Sequence, residues 1–166
     1  MKLETIKVGR IVNAHGVRGE VRVQPRDADP AFLTHFKTFY IDGKPVTPTT
    51  NHVHKSMVLM KLPGVDDMDA ALAMKEKDLY IRREDADLEE GEWFDDELLG
   101  LQVYNAETGA LLGELKVVEF YPAHPVYTVK GEKTWLIPAV PEVFIKSIDM
   151  DANRMEVNVW EGLENE

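Results

Sequence analysis

The sequence predicts an all-β chain: two small β-barrels joined by an acidic linker, with one short helix in the first module. Three observations predict it. Short segments of alternating apolar and polar residues recur between turn signals about 8–12 residues apart, the spacing of small barrels and sandwiches. The charge changes abruptly near residue 84. And the 166 residues include no cysteine, so any fold must be held by its cores rather than by disulfides or zinc–thiolate sites.

The elements follow in order. Ile6–Val12 and Glu20–Gln24 read as strands; in the second, Val21 and Val23 point inward and Glu20 and Arg22 outward. Between them Asn13-Ala14-His15-Gly16-Val17-Arg18-Gly19 reads as a glycine-bearing loop. Thr38–Ile41 and Pro45–Thr47 flank Asp42-Gly43-Lys44, an Asp-Gly hairpin signal. His52–Leu62 reads as one strand or a pair, ending at Pro63-Gly64. Asp66, Asp67 and Asp69 supply an N-cap and first-turn acids for a short helix through Ala70, Ala71, Leu72 and Met74. Leu79–Ile81 returns to strand. The second module repeats the rhythm: Leu101–Tyr104, Leu115–Phe120, Val126–Val129, Trp135–Pro138, Phe144–Ile148 and Met155–Val159, with turns at Asn105–Gly109, Tyr121–Pro125, Lys130–Lys133 and Asp149–Asn153.

The net charge of −11 argues against nucleic acid as a partner until it is divided. Residues 1–83 hold 14 Lys+Arg against 10 Asp+Glu, a net of +4; residues 84–166 hold 5 against 20, a net of −15. The stretch Glu84–Glu97 carries nine acids and no base, and self-repulsion would keep such a linker extended. The modules are accordingly placed at 1–83 and 97–166, with 84–96 between them. No apolar run approaches the roughly 18 residues of a membrane helix, and the N-terminus lacks the apolar core of a signal peptide, which together predict a cytoplasmic protein.

Signatures of catalysis are sparse. The chain has no phosphate-binding glycine loop, no dinucleotide fingerprint and no nucleophile elbow, and its only serines are Ser56 and Ser147. His52 and His54 lie on one strand face without a carboxylate at metal-ligand spacing. The densest polar constellation is the Asn13–Gly19 loop with Glu20; His15 and Glu20 are its one candidate acid–base pair. No cofactor or metal site is expected.

Val8-Gly9-Arg10-Ile11-Val12-Asn13-Ala14-His15-Gly16-Val17-Arg18-Gly19-Glu20-Val21-Arg22-Val23 resembles the opening motif of the ribosome maturation factor RimM family. Leu98–Val103 with Gly109–Gly113, and Trp135–Val140 running on through Ile148-Asp149 to Glu161-Gly162-Leu163, resemble that family's C-terminal PRC-barrel. The resemblance implies a six-stranded N-terminal barrel, a PRC-barrel, and a non-enzymatic factor, in effect an assembly chaperone, for the head of the small ribosomal subunit. It further implies binding to small-subunit ribosomal protein number nineteen and support of small-subunit rRNA processing.

Two sets of residues follow. A basic ribosomal protein would be drawn to the acidic module and anchored by aromatics, so Trp93, Phe94, Phe120, Tyr121 and Trp135 are its candidate contacts. On an extended strand Trp93 and Phe94 would face opposite ways. Guanidinium groups pair bidentately with phosphate, so Arg10, Asn13, His15, Gly16, Arg18, Gly19 and Arg22 are the candidate rRNA-facing set, with Arg26 nearby. The alternative is a small β-barrel enzyme or cofactor binder using the His15–Glu20 loop. A monomer is expected.

Overall fold

The computed structural model describes residues 2–27, 29–89, 92–159 and 163–165. They divide into Leu3–Leu88 and a second unit made of Met1–Lys2 with Glu89–Glu166. Each unit is built on one seven-stranded sheet.

In the first unit the strands are β1 (Thr5–His15), β2 (Glu20–Pro25), β3 (Phe39–Ile41), β4 (Lys44–Val46), β5 (Thr50–His54), β6 (Met57–Lys61) and β7 (Asp78–Arg82). They are ordered β4-β3-β7-β1-β2-β6-β5, all neighbours antiparallel. Among the described residues the one α-helix, α1 (Met68–Ala73), is capped by the Asp67 side chain, which accepts the Ala70 N–H at 2.7 Å. Alternation buries one face: Ile6, Ile11, Val21, Val23, Val58, Met60, Leu79 and Ile81 form the core with Leu33 and Phe39.

β1 is longer than the alternation predicts. A bulge between Ile11 and Asn13 absorbs Val12 and restores the phase, so the strand continues with Asn13 opposite Arg22, Ala14 opposite Val21 and His15 opposite Glu20. The expected loop therefore shrinks to Gly16–Gly19, and Asn13 and His15 are strand residues held in register. His52–Leu62 resolves into the β5–β6 hairpin, turning at Lys55 with φ 58°. A 3-10 turn at Pro30–His35 is among the elements that the sequence did not announce. There Asp29 accepts the Ala31 N–H at 3.0 Å, and Pro30 supplies a preset φ.

The second unit comprises β8 (Gln102–Asn105), β9 (Leu111–Glu119), β10 (Val126–Lys130), β11 (Thr134–Pro138), β12 (Ile145–Asp149), β13 (Arg154–Val157) and β14 (Glu164–Asn165). The order is β12-β13-β8-β9-β10-β11-β14, with β13 and β8 the parallel pair. Its core gathers Leu98, Leu101, Val103, Leu115, Tyr127, Val129, Ile137, Met155 and Val157. The acidic stretch is not uniformly extended. Single 3-10 turns occupy Arg83–Asp85 and Asp95–Leu98, and the Glu92 N–H donates to the Glu89 carbonyl at 3.1 Å. Local hydrogen bonds outweigh repulsion here because most of these carboxylates stay in water, where like charges interact weakly.

Candidate functional site

The outward face of β1, β2, β6 and β5 carries the polar constellation of the first unit. Opposed residues in a ladder share a face. Asn13, Arg22, Leu59 and His52 therefore form one row across the four strands, and His15, Glu20, Lys61 and Thr50 form the next. Arg22 reaches diagonally to His15: its Nε and Nη2 lie 3.4 and 3.3 Å from His15 Nδ1. The ring of His54 stands 5.5 Å from that of His15, tilted by 53°. Leu59 belongs to this outward row yet is only 3% exposed, so it is covered by its neighbours, whereas Asn13, His52 and Thr50 in the same two rows are exposed.

The sequence-derived set divides. His15 and Arg22 are brought together, and Asn13 sits opposite Arg22 with its Oδ1 accepting the Ala14 N–H at 2.9 Å. Arg18 is exposed in the Gly16–Gly19 turn. Arg10 is committed elsewhere: its Nε donates to Asp78 Oδ1 at 2.8 Å, and Lys7 Nζ lies 3.3 Å from the other oxygen of the same carboxylate. The hydrogen bond from Arg10 is the main reason the Asp78 carboxyl is held below its usual range. Gly16 and Gly19 both have positive φ, 76° and 88°, but for different reasons. Gly16 opens into free space, whereas a Cβ on Gly19 would lie 2.5 Å from the Val65 carbonyl oxygen and 2.8 Å from the Asp67 nitrogen. Gly19 is thus where the turn packs on the segment leading into α1. His54 was missed as a partner of His15, because periodicity places it three strands away across a flat sheet and carries no information on twist.

In the second unit the aromatics serve mainly the core. Trp93, Phe120 and Trp135 pack against the buried cluster. Trp93 and Phe94 do not lie on a strand; they lead into the Asp95–Leu98 turn, where the Phe94 N–H donates to the Glu97 carboxylate at 3.0 Å. Glu97 is 1% exposed and anchors this corner with Tyr127, whose hydroxyl donates to Asp95. Burial, then the Asp95 charge, pushes the Tyr127 phenol far above its usual range. Tyr121 is 47% exposed and donates to Glu119 Oε2 at 2.8 Å, which also raises its phenol. The structure adds an apolar row that alternation alone did not single out: Val117 and Leu136, 39% and 38% exposed, flank buried Thr128 across β9, β10 and β11. A depression of about 400 Å³ lies nearby, between Leu111, Gly131, Lys133 and Trp135.

Among the described residues no group of three or more His, Cys, Asp or Glu is placed to hold a metal ion. No described helix is long and apolar enough to cross a membrane.

Two family models match in succession: the RimM N-terminal domain over residues 6–86 and the RimM PRC barrel domain over residues 95–163. The chain is 39% identical over 170 residues to the ribosome maturation factor RimM of Clostridioides difficile, covering 98% of this chain and 97% of that one. It is 34% identical over 176 residues to the protein of the same name from Bacillus pumilus, covering both chains completely. A crystal structure of a 16S ribosomal RNA processing protein RimM from Pseudomonas aeruginosa aligns with a TM-score of 0.47 at 24% identity, over 95% of this chain and 98% of that one. The matched models lie in the order of the two sheets and together span nearly the whole sequence, and the chain belongs to the RimM family.

Proposed function

We propose that this chain is a cytoplasmic, non-enzymatic ribosome assembly factor, acting as a monomer, that binds small-subunit ribosomal protein number nineteen and supports maturation of the small-subunit head and processing of its rRNA. The observation that carries the proposal is end-to-end similarity to proteins named ribosome maturation factors. The charge distribution supports it. From Glu89 onward the chain holds 5 Lys+Arg against 17 Asp+Glu, a field that attracts a basic protein and raises its association rate. The exposed Tyr121 and the Val117–Leu136 row add apolar surface within that field. In the first unit, His15, Arg22 and the exposed Arg18 suit contact with an RNA backbone.

The test is the ribosomal-particle profile of cells lacking the protein. Accumulated small-subunit precursors are expected; a normal profile overturns the proposal. In parallel, association of the full chain with purified ribosomal protein nineteen is expected to slow about tenfold between about 0.01 M and about 0.15 M salt, as the screening length falls from about 30 to about 8 Å. A salt-independent rate removes the acidic surface from the explanation.

A further inference from the structure

We infer that His15, Arg22 and His54 form a binding site for one phosphate-type oxyanion on the outward face of β1, β2 and β5, its occupant being a phosphodiester of an RNA backbone. The occupant rests on the rRNA-facing reading above; the site rests on geometry alone.

A guanidinium can only donate, so the two Arg22 contacts at 3.3 and 3.4 Å make His15 Nδ1 an acceptor and put the ring proton on Nε2. His15 thus presents an N–H donor beside a fixed positive charge. His54, with its ring centroid 5.5 Å away, brings a second imidazole to the same spot. Asn13, opposite Arg22 and exposed, has its oxygen engaged by the Ala14 N–H, so its NH₂ is the group it has to offer an anion. The result is a cluster of N–H groups around a cation. A metal ion is excluded by the same facts: the His15 Nδ1 lone pair is occupied, and Arg22 would repel the ion.

The neighbouring charges set the scale. Glu20 lies opposite His15, and Lys61, which would offset it, is turned toward Asp66 at 3.0 Å. A nearby carboxylate weakens the hold on a lone anion. A polyanion recovers the loss through Arg18 and Lys55, exposed in the turns that follow His15 and His54. This argues for a strand of RNA over free phosphate.

The experiment follows the imidazole ¹⁵N–¹H signals of the labelled full-length protein in two titrations, one with inorganic phosphate and one with a short single-stranded RNA. The His15 and His54 signals are expected to move together and saturate in both, with RNA binding at least about tenfold tighter, while His35 stays put. Arg22→Gln, which keeps donors but removes the charge, is expected to weaken both about tenfold. His54→Phe is the second variant, and amide spectra report whether each is folded. The site is overturned if neither probe gives a saturable shift, or if both folded variants bind like the parent. Phosphate binding that RNA neither matches nor displaces overturns the phosphodiester assignment. Absent shifts together with precursor accumulation in cells lacking the protein remove this site and leave the assembly role; saturable shifts with a normal particle profile do the reverse.

Discussion

Replacing Gly19 by alanine tests whether the β1–β2 turn and the start of α1 form one packed unit. Two costs are involved. A residue with a Cβ at φ 88° pays about 1–2 kcal/mol for the left-handed backbone. The new Cβ would also meet Val65 O at 2.5 Å, Asp67 N at 2.8 Å and Val65 C at 2.9 Å, all backbone atoms that cannot rotate away. Overpacking of that kind costs about 1–3 kcal/mol. Reduced freedom of the unfolded chain returns about 0.4–1 kcal/mol, leaving a net loss of about 1–4.6 kcal/mol, centred on about 3. Gly16→Ala is the internal control. Its φ is 76°, but nothing lies within 4 Å of the added atom, so only the backbone cost applies, net about 1 kcal/mol. Urea unfolding of both variants measures the difference. Hydrogen exchange locates it: displacing Asp67 breaks its bond to the Ala70 amide, so Ala70 loses protection in Gly19→Ala and keeps it in Gly16→Ala. Equal destabilisation to within about 0.5 kcal/mol, or unchanged protection at Ala70, refutes the reasoning.

Two further outcomes are expected. Tyr127, neutral when folded because of burial and Asp95, stays silent in an alkaline absorbance titration until the protein unfolds. Its unfolded form ionises near pH 10, so it lowers stability progressively as pH rises above about 10, and Tyr127→Phe flattens that decline; the same pH slope in both proteins contradicts it. Asp78→Asn frees Arg10 and Lys7, and because the pairs are partly open to solvent the loss at neutral pH is about 1 kcal/mol. A carboxyl held low contributes in full above its unfolded pKa and loses that contribution as pH falls through its lower folded pKa, so the difference between the two proteins begins to shrink near pH 4 and disappears only at more acid pH, as paired urea titrations would record.

The strands were legible because alternation is local. Glu20–Gln24 announces its buried face through Val21 and Val23, and the structure keeps it. What escaped was whatever depends on partners distant in sequence. The bulge at Val12 is visible only once β2 is laid beside β1, and it converts Asn13 and His15 from loop to strand. β14 is two residues long, too short to carry a period, and exists through pairing with Thr134 and Trp135. Trp93 and Phe94 looked like strand neighbours with opposite faces. The Asp95–Leu98 turn, held by buried Glu97, makes them its lead-in instead. Of the candidate rRNA-facing arginines, sequence could not tell Arg10 from Arg22, since what separates them is that Asp78 lies opposite the one and Asn13 opposite the other.

The division of charge also changes meaning once the structural boundary is used. Leu3–Leu88 takes in Glu84, Asp85 and Asp87 and then holds 13 Lys+Arg against 13 Asp+Glu. The first unit is therefore neutral as a whole, and its excess of base over residues 1–83 reflects where the cut was made. A neutral unit exerts no long-range pull on RNA, so any contact there must come from local arrangement. At distances beyond about 8 Å, physiological salt screens the distant carboxylates, and what an RNA phosphate feels is the side chains immediately around it. Asp27, Asp29, Asp42 and the acids at the start of α1 lie outside the two outward rows that hold His15 and Arg22, whereas Glu20 lies within one of them. The second unit keeps its excess whichever boundary is used, because 17 acids against 5 bases from Glu89 onward cannot be neutralised by a shift of a few residues. On the proposed reading, steering by net charge belongs to the second unit and recognition by placed donors to the first. Reversing single surface acids in the second unit would alter association rates gradually, while removing Arg22 would act through one contact.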